Sequence, residues 1–168
     1  LATPVAIMVG NGMGAKNGIL FKTAVSLEEA GKIEIVALDK TGTITTGEPK
    51  VTDVICNKGV TEKELISFAY ALEKKSEHPL AKAVLAYAEA AQTDIFEVNN
   101  FTALPGNGLS AILGSDKLTG GSMKFISGQT KVSADLNRRA EQLAEQGKTP
   151  LLFTRNGKLL GIIAVADV

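Results

Sequence analysis

The sequence predicts an α+β fold: an antiparallel sheet with flanking helices, preceded by a partial α/β segment. Three observations carry this. Ile33, Ile35, Val36 and Leu38 form an apolar run that ends on Asp39 and enters a turn. That is the pattern of a buried parallel strand delivering an acid at its carboxyl end. Beyond position 50 the patterns follow the order strand, two helices, strands, helix, hairpin, which suits an antiparallel sheet with helices on one face. Between the two regions, Thr43 to Pro49 is a polar link carrying Gly47 and Pro49, the natural place for a boundary.

Length and composition are compatible with this division. At 168 residues the chain holds one domain, or one domain and part of another, and 45% hydrophobic content is enough for a real core. Eighteen basic and eighteen acidic side chains balance, so nothing points to nucleic acid or a charged membrane surface as a partner. The single cysteine, Cys56, excludes an internal disulfide framework and fits a reducing compartment. The chain begins at Leu1 without a methionine or a signal-peptide pattern, and is expected to come from something longer. Its apolar start, Leu1 to Val9, falls well short of the ~20 residues that cross a bilayer. It reads as the closing turns of a membrane helix.

Taken in order, the elements are justified locally. Glycines crowd at Gly10, Gly12, Gly14 and Gly18 after an apolar run. A dinucleotide-binding loop is rejected, because the spacing is poor and no acid ends a second strand. Ser26 to Ala30 reads as a short helix. Val51 to Asn57 alternates as a strand. Thr61 caps a helix, with Glu64 placed for a capping box and Leu65, Ile66, Phe68, Ala69 and Leu72 at helical spacing. Pro79 opens the next helix, which runs to about Ala91 on Leu80, Ala83, Val84 and Tyr87. Ile95 to Thr102 is a strand, and Leu109 to Leu113 pairs with Lys117 to Thr119 across Gly114-Ser115-Asp116. A short helical piece near Ser122 to Ile126 follows. Val132 to Gln146 is an amphipathic helix closed by Gly147. Asn156-Gly157 then turns a hairpin between Leu151 to Arg155 and Leu159 to Ala166.

Two stretches carry chemistry. In Asp39-Lys40-Thr41-Gly42-Thr43 a carboxylate is followed by an ammonium, two hydroxyls and turn amides. This is a set suited to attack on phosphorus with donors taking up charge on the oxygens. An aspartate after a strand is by itself more often an Asx turn; the whole pentapeptide outweighs that reading. In Ser76-Glu77-His78-Pro79-Leu80 the only histidine adjoins a helix start, where it either caps the helix or contacts a ligand. Gly106-Asn107-Gly108 is either a hairpin turn or a flat surface for a ring.

The pentapeptide resembles the phosphorylation motif of P-type ATPases, members of the haloacid dehalogenase-like phosphotransferases, and Ser76 to Leu80 resembles the signature of their heavy-metal-transporting branch. The resemblance covers nearly the whole chain. It implies residues 1–47 as a membrane-exit segment and the first part of the phosphorylation domain, 48–161 as the nucleotide-binding domain, and 162–168 as the return strand. It implies that Asp39 becomes an aspartyl phosphate from ATP, assisted by Lys40, Thr41 and Thr43, with Mg²⁺ held at Asp39 and Thr41. Glu77 and His78 would face adenine, and Gly106, Gly108, Gly120 and Gly121 would line the pocket. Ser122 stands where the family has asparagine. The implied partners are ATP, a heavy-metal ion (Cu⁺ on overall similarity) and the membrane domain of the same protein, with this region on the cytoplasmic side of the cell membrane. The family's later aspartate motifs are absent from these 168 residues, so the expectation is nucleotide binding without efficient turnover. The rival readings are a soluble haloacid dehalogenase-like phosphatase and a non-catalytic nucleotide-binding module. The phosphatase typically has a second aspartate at the position of Thr41.

Overall fold

Gly10 and Gly14 fall one turn apart on α1 (Ala2–Lys16), and their lack of side chains is used for packing. A Cβ on Gly10 would lie 2.7 Å from Leu27 Cδ2, and one on Gly14 would lie 2.9 Å from Phe21 Cε2. Gly10, Gly12 and Gly14 therefore belong to a helix against which the following segment folds, and Gly18 lies beyond its end at φ +77°. That segment contains α2 (Ala24–Ala30), whose N-cap Thr23 accepts a hydrogen bond from the Ser26 amide at 3.1 Å. The computed structural model describes residues 2–167, without the side chains of Ala2, Lys40 and Thr41. Expectations that fall on Leu1, Val168 and those side chains lie outside the described residues. Two compact units result, Leu1–Asp39 and Lys40–Val168. Among the described residues no helix is long and apolar enough to cross a membrane.

The expected strand at 33–38 does not form; residues 33–39 adopt no regular secondary structure and join no sheet. Ile35 is 87% exposed and Val36 68% exposed. A parallel strand is a property of a sheet, needing neighbours on its edges and helices over its faces. The one sheet among the described residues contains no strand from this segment. An apolar run without those neighbours has nothing to pair with.

The second unit is built on that sheet. Its elements are β1 (Pro49–Cys56), α3 (Glu62–Glu73), α4 (Pro79–Ala90), β2 (Asn99–Leu104), β3 (Gly108–Leu113), β4 (Asp116–Ser122), α5 (Met123–Ser127), α6 (Ala134–Glu145), β5 (Thr149–Arg155) and β6 (Lys158–Asp167). The strands lie in the order β1-β6-β5-β4-β3-β2, and every neighbouring pair is antiparallel. The α+β class with an antiparallel sheet and flanking helices is thus as expected.

The helices do not all lie on one face, however. Phe153, Ile163 and Val165 pack with the buried residues of α3 and α4, whereas Leu152, Ile162 and Ala164 pack with Ile126 of α5 and Leu136, Ala140 and Leu143 of α6. Successive strand residues point to opposite faces, so the sheet is covered on both sides. The cause is visible in β6, which is apolar from Leu159 to Val165 and buries both sets of side chains.

Local signals account for most element ends. Thr61 Oγ1 accepts from the Glu64 amide at 3.2 Å, but the Glu64 carboxylate faces Arg155 at 3.6 Å, so the capping box is half formed. Gly147, at φ +77°, closes the segment after α6. The strand expected from Ile95 begins only at Asn99 and carries an irregularity between Asn99 and Thr102. Cys56 is a free, half-buried thiol on β1, pushed up chiefly by desolvation.

β1 and β6 run side by side from Pro49↔Asp167 to Cys56↔Gly161. The incoming and outgoing ends of the sheet domain are therefore adjacent. β6 passes through position 162 without a break, still within the sheet.

Candidate functional site

The C-terminal end of α3, the loop to α4, the β2–β3 turn and the strands β3 and β4 surround a cleft of about 660 Å³. Each contributes through its local sequence. Apolar side chains of Leu80, Phe101, Leu104, Leu109 and Leu151 give it a greasy wall, and Glu73, Lys75, Ser76, Glu77, His78 and Asn107 supply polar groups. A site of this size, mostly apolar with a few convergent polar groups, has the general form of a small-molecule binding cleft.

The structure places Glu77, His78, Gly106, Gly108, Gly120 and Gly121 on this one wall, although they come from three separate stretches of chain. His78 carries two roles at once. Its Nδ1 accepts from the Leu80 amide at 3.2 Å, capping α4 ahead of Pro79, and its own amide donates to Ser76 Oγ at 3.3 Å. An imidazole that accepts at Nδ1 is, when neutral, protonated at Nε2. The cap therefore leaves Nε2 as an N–H donor. Glu77 is exposed on the same wall.

The glycines divide by physical cause. Gly108 pairs with Gly121 across β3 and β4, and a Cβ on Gly108 would lie 2.1 Å from the Gly120 carbonyl oxygen. On Gly120 it would lie 2.8 Å from both Leu72 Cδ2 and Phe153 Cδ1, and on Gly121 2.5 Å from the Asn107 carbonyl oxygen. These three are required by close packing of the wall itself. Gly106 differs: it has open space around it but sits at φ +74°, the left-handed region that favours glycine. Ser122 lines the cleft and caps α5, its Oγ accepting from the Phe125 amide at 3.3 Å.

Glu73 was missed in the sequence. It closes α3, is only 6% exposed, and lines the cleft. Burial pushes its carboxyl up to about 7, and a hydrogen bond with Ser76 works in the other direction. A signal was present: Ile66, Ala69 and Glu73 share one helical stripe, so an acid continues an apolar face. A buried carboxyl at a cleft, with its proton held to near neutrality, is a candidate functional group.

The Asp39-Lys40-Thr41-Gly42-Thr43 pentapeptide has a different setting. Asp39 is exposed at the end of the unpaired segment, and Lys40–Ile44 forms one wide helical turn with Gly42 at φ +74°. Thr43 is exposed on that turn. For the expected Mg²⁺, Asp39 offers one carboxylate. Among the described residues no group of three or more His, Cys, Asp or Glu side chains gathers to hold a metal ion. Mg²⁺ normally combines carboxylates with substrate phosphates and water, so these residues alone do not fit a complete site.

Comparison with known proteins follows the same lines. Residues 33–168 match the family model of the haloacid dehalogenase-like hydrolases. The chain is 42% identical over 167 residues to a probable copper-importing P-type ATPase A of Enterococcus hirae, covering 99% of this chain and 22% of that protein. It is 38% identical over 167 residues to a copper-exporting P-type ATPase of Bacillus subtilis, covering 99% and 21%. It thus spans about a fifth of the length of these relatives. Among solved structures, a zinc-transporting PIB-type ATPase in an E2.Pi state superposes with a TM-score of 0.76 at 35% identity, over 99% of this chain and 27% of that one. The N-domain of HMA8, a copper-transporting P-type ATPase, superposes at 0.58 with 27% identity, over 70% of this chain and 99% of that one. These likenesses favour neither the soluble phosphatase nor the stand-alone binding module.

Proposed function

The chain belongs to the haloacid dehalogenase-like hydrolase family, and from that premise we propose that it is the ATP-binding region of a heavy-metal-transporting P-type ATPase. The cargo of the whole protein is Cu⁺, in line with the copper-transporting relatives. Residues 48–161 are the nucleotide-binding domain, with 162–167 continuing β6 inside its sheet towards the phosphorylation domain, and 1–47 belong to the membrane exit and the phosphorylation domain. The observation that carries this reading is the single cleft shared by Glu77, His78, Gly106, Gly108, Gly120 and Gly121. The adjacent ends of β1 and β6 support it, because a domain inserted into another must leave beside the point where it arrived.

Adenine enters the apolar cleft. His78 Nε2–H donates to a ring nitrogen, and the carboxyls of Glu73 and Glu77 meet the exocyclic amine. The packed glycines keep the wall free of side chains, so a flat ring can lie against backbone. In the whole pump the Asp39 carboxylate attacks the γ-phosphorus, forming an acyl phosphate and releasing ADP, with Lys40, Thr41 and Thr43 facing the transferred group. The region works on the cytoplasmic side of the cell membrane. This chain alone binds nucleotide and turns it over poorly, because Asp39 is exposed and, among the described residues, no group of three or more His, Cys, Asp or Glu side chains gathers beside it to hold the metal ion.

Amide chemical shifts on adding ATP test the reading. Changes centred on Glu73, Glu77, His78, Gly106, Gly108 and Gly121 are expected; changes centred on Gly10 to Gly18 would overturn it. Acid-trapped incorporation of labelled γ-phosphate should be negligible in this chain, present in the whole pump and abolished there by Asp39→Asn.

A further inference from the structure

Two lysines stand side by side at the end of α3, and the fold treats them differently. Lys74 reaches Glu97 Oε1 at 2.7 Å, a carboxylate that balances its charge. Lys75 reaches the Val98 carbonyl oxygen at 2.8 Å instead. A carbonyl fixes the ammonium in place without cancelling its charge, and it occupies only one of three N–H donors. The Glu97 carboxyl is held down first by Lys74, and Lys75 adds only a weaker coulombic share from a distance, so among the described residues Lys75 forms no ion pair. Lys75 also differs from Lys74 in position, since it lines the cleft. Among the described residues it is the one lysine or arginine lining the cleft.

We propose that Lys75 is the residue by which this cleft distinguishes nucleotides by their phosphate charge, its tethered ammonium attracting the polyphosphate of a bound nucleoside di- or triphosphate. The inference rests on the reading of the cleft as a nucleotide site, and deepens it. The other polar groups on the wall, His78, Glu73 and Glu77, suit the base. None of them attracts an anion as a fixed positive charge does, and the Glu77 carboxylate opposes one. Lys75 therefore supplies the attraction that lets an anionic ligand enter a wall carrying acids. Its tether to Val98, just ahead of the edge strand β2, holds the charge near one place and lowers the ordering cost of using it.

The test is calorimetric titration of the full 168-residue chain with adenosine, AMP, ADP and ATP, in a chelator and at low salt. The parent should bind more tightly as phosphates are added. Lys75→Gln should lose on the order of fivefold in ATP affinity, the scale of one partly exposed charge pair, and should bind adenosine as the parent does. Lys75→Arg should restore ATP binding, and Lys74→Gln should leave it within about twofold of the parent, since that charge is already paired. Raising the salt should shrink the difference between parent and Lys75→Gln. ATP affinity unchanged in Lys75→Gln, or adenosine affinity lost by the same factor as ATP, would overturn the proposal. A parent chain that binds none of the four ligands would overturn the nucleotide reading itself.

Discussion

Gly47 donates its backbone N–H to Asp167 Oδ1 at 2.9 Å across 120 positions of sequence, and the Thr45 hydroxyl donates to the other carboxylate oxygen. One side chain on the outgoing strand thus holds the link that precedes the incoming one. The contact sits at the Pro49↔Asp167 end of the β1–β6 ladder, where the two ends of the sheet domain meet. A partly exposed hydrogen bond of this kind is worth about 1 kcal/mol net, and Asp167 accepts two. Asp167→Ala should therefore lower stability by about 2 kcal/mol and speed hydrogen exchange at the Gly47 amide. Asp167→Asn, which keeps one acceptor oxygen, should recover part of both. Denaturant unfolding and amide exchange measure the two effects, and unchanged exchange at Gly47 would show that the clasp does not hold the link.

His78 combines a cap with a ligand contact, and the two roles can be separated by choice of substitution. His78→Ala removes both: about 1 kcal/mol of helix capping and a roughly fivefold to tenfold share of ATP affinity. His78→Asn retains a side-chain oxygen that caps α4 but loses the Nε2–H donor. It should melt as the parent does and still bind ATP weakly. Calorimetry of both variants decides the matter. An Asn variant with parental affinity would confine His78 to the cap.

Glu73 makes stability depend on pH. Its carboxyl is raised from the ordinary 4.5 to about 7 in the folded protein. Below pH 4.5 it is protonated in both folded and unfolded chains, and costs nothing. Between 4.5 and about 7 the unfolded chain ionises first, so stability falls as pH rises; above about 7 the whole cost is present. That cost is about 3 kcal/mol. Glu73→Gln should remove it. The variant should be the more stable protein at pH 8, by a margin that vanishes towards pH 4. Thermal melts across this range give the margin directly, and a constant difference would contradict the burial argument.

Gly108 and Gly106 should respond to alanine unequally. Gly108→Ala drives a Cβ into the Gly120 carbonyl oxygen and strains the β3–β4 pair, so a loss above about 2 kcal/mol is expected. Gly106→Ala meets open space and costs about 1 kcal/mol, from its positive φ alone. Comparable losses in urea unfolding would mean that strand packing is not what requires glycine at position 108.

Contact between neighbours in sequence determined what could be read without the fold. The Thr61 cap, the Pro79 helix start, the Asn156-Gly157 turn and the apolar spacing of α3 and α6 are all settled within a few residues, and each was legible. So were the Asp39 pentapeptide and the Ser76 to Leu80 stretch, as patterns of residue types. Tertiary structure alone decided the rest. Strand order places β6 between β1 and β5, which brings Pro49 beside Asp167 and covers the sheet on both faces. It buries Glu73 and ties Lys75 to a carbonyl at the cleft while Lys74 pairs with Glu97, although adjacent lysines look alike in sequence. The unformed strand at 33–38 has the same cause. A helix closes its hydrogen bonds within itself, whereas a strand takes them from chain segments far away, so its apolar pattern becomes structure only where those segments are present.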